Sequence, residues 1–587
     1  MVRTVWIALG AASVLFHLWL IFSGLVPNLI ARPLHMALAL PWIFLFAAKT
    51  DWERWSGAIF TLVGLACCFY IVANEGELSE QYGSLEGPLQ QLMAGAILIT
   101  VLEMARRAIG WPLPVIAALA LLYGFFGAHL PGEFGHPGLP VDSFLGTMVV
   151  AEGGLWGSLT GVSVNIVAVF VIMGAVLNAG EAGQGFMNLA AAAAGRLKGG
   201  AAKVSVVSSA LFGSISGSAS ANVASTGAIT LPAMRRLGYP KSLAGAVEAV
   251  ASSGGQIMPP LMGAGAFVMV ELTGVPYTSI MAAALIPALL YFAAVWIGIN
   301  AFASRHDLRP LPEDERPAAR TVLITAAFFL VPFAVLMERM FNGGFTPQYA
   351  AACAILAAFL LLPFDAGLKV DVSRTLGRLE RVVLSAGEQI AVIASIILCA
   401  TIIISVLGQT GLGVKITSLI LSAGNEQLWL ALLLTAAACL LLGMEVPTTA
   451  AYVICISVAG PALEKLGLDL LTAHLFVFWF ALLSTITPPV CGAVFIAAGM
   501  VGENWLRVAF TAMALGVGLY IIPLGMIANP AIIALEARPW LAILAGLKLL
   551  LGLAAVSYGL ISAWPVWLRI TLITLGLAVI FGSVSLA

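Results

Sequence analysis

The sequence has few charged residues for its length. Only 9% of its 587 residues are Asp, Glu, Lys or Arg, whereas a soluble domain carries roughly 25%. Hydrophobic residues make up 61% of the chain, and its mean hydropathy is +1.04. This composition excludes a soluble globular fold. It predicts an all-α polytopic protein whose main partner is the lipid bilayer.

Three further absences argue against other classes of protein. The net charge is −1 and no long run of Lys or Arg occurs, so nucleic acid is not an expected partner. The seven cysteines lie in apolar segments without the paired spacing of a metal site. No His-Glu-x-x-His pattern or comparable pair is present, which argues against an intramembrane enzyme. We therefore predict no catalytic residues and no cofactor.

Apolar segments divide the chain into three regions. Five segments near the N-terminus, each close to the ~20 residues that cross a bilayer, predict a small helical domain over 1–135. The Pro/Gly-rich loop from Leu130 to Pro140 marks its end. A large domain is predicted over 136–535, and two peripheral transmembrane helices over 536–587.

The loops of the small domain predict its orientation. The loop from Lys49 to Arg54 and the pair Arg106-Arg107 carry positive charge, whereas 74–86 holds four glutamates and no Lys or Arg. Because positively charged loops stay in the cytoplasm, the N-terminus is predicted to be cytoplasmic.

Two parts of the large domain repeat each other at a constant offset along the chain. Ile257-Met-Pro-Pro260 recurs as Ile486-Thr-Pro-Pro489, and the same offset carries Pro232-Ala233 onto Pro461-Ala462 without a gap. We call this spacing, which carries Pro259 onto Pro488, the repeat offset. Internal repeats in a membrane protein are typical of secondary transporters. The predicted repeats cover about 180–303 and about 386–526.

Each repeat contains a polar, helix-breaking run inside apolar sequence. Phe212 to Asn222 forms this run in the first repeat, and Gly443 to Ala451 forms it in the second. Unpaired backbone groups cost several kcal/mol each in hydrocarbon, so we interpret both runs as tips of re-entrant hairpins, each followed by a broken helix. The flanks of the second hairpin lack the excess of basic residues that the first hairpin has. The hairpins are therefore predicted to enter from opposite faces, as inverted repeats do.

A hairpin tip beside a broken helix offers hydroxyl and carbonyl oxygens, which suit a small hard cation such as Na⁺. The predicted cation-binding residues are Ser214, Ser216, Asn222, Ser253, Gly254, Gly255, Pro259, Gly443, Glu445, Pro447, Thr448, Ser484, Thr485, Thr487 and Pro488. The predicted substrate-binding residues are Ser216, Gly217, Ser218, Ser220, Asn222, Thr448 and Thr449. The alternative is that the small residues only permit close packing of helices. The presence of two inverted copies favours a binding site over packing alone.

Two carboxylates lie in apolar segments, where each costs roughly 2.5–3.5 kcal/mol. Glu445, at the second tip, is predicted either to coordinate the cation or to carry a proton. Glu248, in the broken helix of the first repeat, is expected to face protein or the membrane interface. An anionic substrate is expected to meet the positive ends of half-helix dipoles.

Three of these stretches resemble fused membrane subunits of TRAP transporters, in the TAXI branch. They are Ala210 to Val223, Gly245 to Pro260 and Gly443 to Ala451. The resemblance is carried by strong motifs over about 140–530 and by helix layout alone over 1–135. The layout is that of a small subunit fused ahead of the large one.

The resemblance implies an elevator-type importer in the bacterial inner membrane. A soluble periplasmic TAXI-type binding protein would deliver an organic acid anion, and an ion gradient would drive its uptake. Glu445 stands where the family is expected to have a small residue, which leaves both Na⁺ and H⁺ as coupling ions. The alternative function is a dicarboxylate symporter or exchanger that needs no binding protein.

Overall fold

A computed structural model describes residues 2–423, 427–443, 446–489 and 491–582. In these residues the regular structure is helical, and the only extended pairing is an isolated bridge between Phe364 and Val370. Nine of the described helices are long and apolar enough to cross a membrane, or ten if one bent pair counts as a single span. The predicted all-α polytopic fold is confirmed.

The N-terminal region forms six helices. They begin and end where local signals require it: Thr50 and Glu53 form a capping box at the start of α3, and Gly110, with φ at +91°, ends α5. A π-helical turn, Trp42–Phe46, continues α2. The helices are α1 (Val2–Phe22), α2 (Asn28–Pro41), α3 (Asp51–Ala73), α4 (Glu75–Glu80), α5 (Gly87–Ile109) and α6 (Pro112–Phe126).

Shorter helices connect this region to the first repeat. The π-helical turn Ser163–Val167 joins two of them into a single span of 22 residues, Ser158–Ala179. The connecting helices are α7 (Val141–Val149), α8 (Ser158–Val162), α9 (Ala168–Ala179) and α10 (Ala182–Ala194).

The first repeat is a helical hairpin followed by a broken helix. The hairpin consists of α11 (Gly200–Ser216) and α12 (Ala219–Arg236). The broken helix consists of α13 (Lys241–Gly254) and α14 (Gly263–Thr273), and α15 (Tyr277–His306) follows it. The predicted hairpin and helix break are therefore both present in this repeat.

Three helices follow α15: α16 (Ala319–Phe341), α17 (Pro347–Leu361) and α18 (Val372–Thr410). The last has 39 residues and is therefore about 58 Å long. Helices α1, α2, α5 and α6 all pack on α18. Gly387 has no side chain, which lets the buried indole of Trp42 lie against α18.

The hairpin and the broken helix recur in the second repeat. Its helices are α19 (Leu412–Ala423), α20 (Leu428–Gly443), α21 (Thr448–Lys465), α22 (Leu470–Leu483), α23 (Gly492–Val501), α24 (Trp505–Leu515) and α25 (Val517–Ala528). The repeat offset carries the first residues of α12, α13 and α14 onto those of α21, α22 and α23. Both α12 and α21 have 18 residues, and both α13 and α22 have 14.

The chain ends in two further helices, α26 (Pro539–Ile561) and α27 (Val566–Phe581). They pack on each other, and α26 also packs on α15 of the first repeat. The predicted domain limits at 135 and 535, and the opposite orientation of the repeats, stay predictions.

Candidate functional site

The first hairpin turns sharply at Gly217. This residue has φ at +59°, a left-handed conformation that glycine adopts without strain. A Cβ atom here would lie 2.5 Å from the Cα of Gly263, so only glycine lets the tip approach the start of α14 this closely. Ser218 then caps α12, because its hydroxyl accepts a hydrogen bond from the Ala221 backbone N–H at 3.3 Å.

Hydrogen bonds and a close backbone contact hold the first tip against the helix break of its own repeat. The Asn222 amide donates to the carbonyl of Ser209 at 2.9 Å and to that of Ser252 at 3.3 Å. Gly213 and Gly255 bring their backbones into direct contact, since a Cβ on either would overlap the other residue. The polar tip and the unwound backbone therefore form one packed unit.

Different side chains hold the tip of the second repeat against its helix break. The Ser484 hydroxyl lies 2.9 Å from the carbonyl of Gly443 and 2.6 Å from that of Ala481. Pro447 precedes the first residue of α21. The turns that follow α22 use the same three-residue hydrogen bonds as those after α13. The two helix breaks thus share their backbone hydrogen bonds, whereas the side chains that hold each tip against its break differ between the repeats.

The two helix breaks meet each other. The hydroxyls of Ser253 and Thr485 are 2.8 Å apart, and the Thr448 hydroxyl donates to the Gln256 side-chain oxygen at 3.2 Å. Helix α12 packs on α23, and α21 packs on α14, which are equivalent pairs in the two repeats. Tips and breaks of both repeats therefore share one polar centre.

The structure brings most predicted site residues to this centre. Those at the tips and breaks are Gly217, Asn222, Ser253, Gly254, Gly255, Pro259, Gly443, Pro447, Thr448, Ser484, Thr485 and Pro488. Ser216 ends α11, and its buried hydroxyl has no hydrogen-bond partner among the described residues. An unpaired buried hydroxyl suits a ligand, because leaving it unpaired has a cost.

Other predicted residues have different surroundings. The Ser214 hydroxyl donates to the Leu211 carbonyl of its own helix at 2.6 Å. Ser220 is exposed on α12, and Thr449 faces a small apolar cavity beside α18. The Thr487 hydroxyl lies 2.7 Å from that of Tyr520. Glu445 lies outside the described residues.

Sequence reasoning missed a buried polar cluster behind the first tip. Its hydroxyl members are Ser205, Ser209, Thr226 and Thr230, and it also contains Glu248 and Ser252. A signal was present, since Asn222, Thr226 and Thr230 are spaced by four residues and so share one face of a helix. Gln256 was also missed, because nothing in the sequence joins it to Thr448.

Comparison with known proteins places this geometry in a family. The family model described as the DctM component of the tripartite ATP-independent periplasmic transporters matches residues 96–541. The chain belongs to this family. It is therefore a multi-span membrane component of a TRAP transporter, and the prediction that it is not an enzyme is confirmed.

Several curated relatives of this TRAP component are transporter permeases. The C4-dicarboxylate TRAP transporter large permease protein of Pseudomonas aeruginosa is 26% identical over 340 residues, which cover 57% of this chain and 76% of the relative. The sialic acid TRAP transporter large permease protein of Vibrio cholerae is 23% identical, covering 63% and 83%. The isethionate TRAP transporter permease protein DctMQ of Oleidesulfovibrio alaskensis is 24% identical over 469 residues, covering 76% and 72%.

Proposed function

We propose that this chain is the fused membrane component of a tripartite importer of organic acid anions. It belongs in the bacterial inner membrane, with its N-terminus in the cytoplasm, and works with a soluble periplasmic binding protein of the TAXI type. An ion gradient drives uptake. The observation that carries this proposal is the polar centre at which the tips and breaks of both repeats meet.

The proposed substrate class follows from the helix ends at this centre. Helices α12 and α21 both begin at a tip, so their unpaired backbone N–H groups and positive dipole ends favour an anion. Ser218 and Ser220 lie in the cap and first turn of α12, and their hydroxyls can donate hydrogen bonds to a carboxylate. Thr448 and Thr449 begin α21 and offer their backbone N–H groups. The relatives are named for dicarboxylate, isethionate and sialic acid, which are all organic anions.

The proposed coupling ion is Na⁺, held by oxygen atoms of the tips and breaks, and H⁺ is the alternative. The unpaired hydroxyl of Ser216 supports a cation at the first tip. At the second tip, Glu445→Gln separates the two ions. If Glu445 binds Na⁺, the substitution raises the Na⁺ concentration needed for half-maximal uptake. If it carries a proton, uptake loses its dependence on the pH gradient.

The proposed mechanism is an elevator motion. The hairpins and broken helices interlock through α12 with α23 and through α21 with α14, so they can move as one body. The N-terminal helices pack on α18 instead, which makes α18 and these N-terminal helices the stationary part. Substrate and ion at the polar centre would then cross the membrane together.

Reconstitution tests this function. Purified protein in liposomes with an inward ion gradient, a labelled acid and the binding protein that retains this acid should accumulate it. Without the binding protein, uptake should be nearly absent. Strong uptake by the membrane component alone would instead support the exchanger that needs no binding protein.

A further inference from the structure

Glu248 is a fully buried carboxylate in α13. It accepts hydrogen bonds from the hydroxyls of Ser205 at 2.8 Å and Ser252 at 3.2 Å, and from those of Thr226 and Thr230. These hydroxyls come from α11, α12 and α13, so three helices of the first repeat converge on one carboxyl group.

No basic side chain neutralises this carboxylate. Glu248 forms no ion pair within 4.0 Å with any residue that the structure describes. Helix α23, which packs on α13, carries no ionisable residue. The other ionisable groups on α13 and on the helices packed against it have other surroundings. The ammonium of Lys203 lies 5.0 Å from the Trp296 ring centroid, and Arg235, Arg236, Lys241, Arg305 and His306 are exposed. Tyr277 and Tyr291 donate to backbone carbonyls, His474 pairs with Tyr452, and Arg507 pairs with Glu503.

The hydroxyls around Glu248 can serve both of its protonation states. Each hydroxyl has one hydrogen and two acceptor sites. When Glu248 is ionised, Thr226 and Thr230 donate to it. When Glu248 is neutral, its own O–H can donate to a threonine oxygen, because the Thr226 and Thr230 hydroxyls also reach helix carbonyls at 2.8 and 3.0 Å. Neither state leaves a buried donor unpaired, whereas an arginine or lysine would hold the carboxylate ionised.

The second repeat shows that the fold does not need this cluster. At the repeat offset, every member of the cluster is replaced by an apolar residue or a cysteine. The replacements are Leu434 for Ser205, Ala438 for Ser209, Cys455 for Thr226, Ala459 for Thr230, Val477 for Glu248 and Ala481 for Ser252. The helices α21 and α22 nevertheless have the same lengths as α12 and α13. Packing alone therefore does not explain a costly buried carboxylate.

A cavity lies along the helix that supplies two of the hydroxyls around Glu248. It has a volume of about 470 Å³ and lies along α12, where Gly227, Leu231, Arg235 and Met500 are among its lining residues. A Cβ atom on Gly227 would lie 3.2 Å from the Cγ of Glu248. Gly227 thus lies close to the Glu248 side chain and also lines a space that can admit water.

We propose that Glu248 is a reversible proton-binding site of this transporter, reached from the cavity beside Gly227. The proton passes between water in the cavity and the carboxylate, and the surrounding hydroxyls reverse their hydrogen bonds as it binds or leaves. The inference rests on the proposed function, to which it adds a proton site distinct from the tips. A Na⁺ ion at the tips is compatible with it.

Infrared difference spectroscopy tests the site with the proton as the only probe. The full-length protein in lipid is taken through a change of pH, and the band of a protonated carboxyl group is recorded. We expect Glu248→Gln to lose a band that Glu271→Gln retains, since Glu271 is the exposed glutamate of the same broken helix. If Glu248→Gln leaves every carboxyl band unchanged, the inference is wrong.

A second variant covers the case in which Glu248→Gln does not fold. Thr230→Val keeps the shape of the side chain but removes one hydroxyl from the carboxyl group. We expect the same band to shift in frequency, because its hydrogen bonding changes. A band that stays at its wild-type position would also overturn the inference.

Transport measurements separate this inference from the proposed function. With the binding protein and its acid, wild-type liposomes that contain a trapped pH dye should show proton movement during uptake. Glu248→Gln should lose that movement, and Gly227→Ala should slow it. Wild-type uptake without proton movement would refute only the proton site. Absence of wild-type uptake under every gradient would refute the proposed function, while the infrared result still decides whether Glu248 binds a proton.

Discussion

At the scale of single residues, Asn222 joins three helices. Its amide reaches the carbonyls of Ser209 and Ser252, and the residue is fully buried. Asn222→Ala removes both hydrogen bonds of the amide, each of which contributes about 0.5–1.5 kcal/mol. We expect a clear fall in melting temperature of the detergent-solubilised protein. Ser220→Ala on the exposed face is the control, with an expected change within about 0.5 kcal/mol. Equal effects would contradict this role of Asn222.

Ser216 and Ser214 form a matched pair for testing the cation site. The Ser214 hydroxyl is paired with a carbonyl of its own helix, whereas that of Ser216 has no partner among the described residues. We expect Ser216→Ala to raise the Na⁺ concentration for half-maximal uptake without lowering the melting temperature, and Ser214→Ala to leave it unchanged. If both variants show wild-type Na⁺ dependence, Ser216 is not a ligand.

The sequence identifies the tips and breaks but not the direction of each side chain. Gly217, Pro259 and Pro488 interrupt apolar sequence, so the interruptions are visible without a structure. Ser214 and Ser216 are only two residues apart, yet a helix turns about 200° between them and gives them different neighbours. Which hydroxyl stays unpaired depends on packing between helices that lie far apart in sequence.

At the scale of secondary-structure elements, glycine contacts hold each tip on its break. A Cβ atom on Gly213 would lie 3.0 Å from the Asn222 amide nitrogen and would overlap Gly255, whereas one on Gly499 would meet nothing within 4 Å. Gly213→Ala should therefore destabilise the protein by about 1–3 kcal/mol and reduce uptake. Gly499→Ala should be neutral or stabilise it by up to about 1 kcal/mol. Melting temperatures and uptake rates check both, and equal behaviour would argue against the close approach.

Element boundaries can be predicted where the chain repeats itself. The repeat offset found in the proline motifs also relates the helix starts of the two repeats. It does not predict that α15 runs unbroken over 30 residues, while the second repeat has α24 and α25 divided at Gly516. The span Ser158–Ala179 was equally hard to place, because its π-helical turn is set by its neighbours rather than by a local signal.

At the scale of the whole molecule, the elevator proposal predicts which contacts must break. Ala400 of α18 and Ala450 of α21 line the same small cavity, so they lie on opposite sides of the proposed sliding surface. Ala400→Cys combined with Ala450→Cys should lose uptake when oxidised and recover it when reduced.

The matched control joins two residues within the proposed moving body. Gly245→Cys combined with Val501→Cys links α13 to α23, because a Cβ atom on Gly245 would lie 3.3 Å from a methyl carbon of Val501. Uptake after oxidation should persist in this variant. Oxidised wild type accounts for the seven native cysteines. If both cross-links arrest uptake, or neither does, this division into moving and stationary parts is wrong.

The equal helix lengths of the two repeats bear on how far a solute can be concentrated. A transporter that moves one more proton in each cycle can sustain a steeper solute gradient from the same membrane energy. Since α21 and α22 copy the lengths of α12 and α13 with an apolar residue or a cysteine at each position of the Glu248 cluster, this ionisable site is set by side chains and not by the backbone. The two repeats are equivalent frames, and only the first holds a carboxylate at this position, so the proton stoichiometry could change by point substitutions without a new fold.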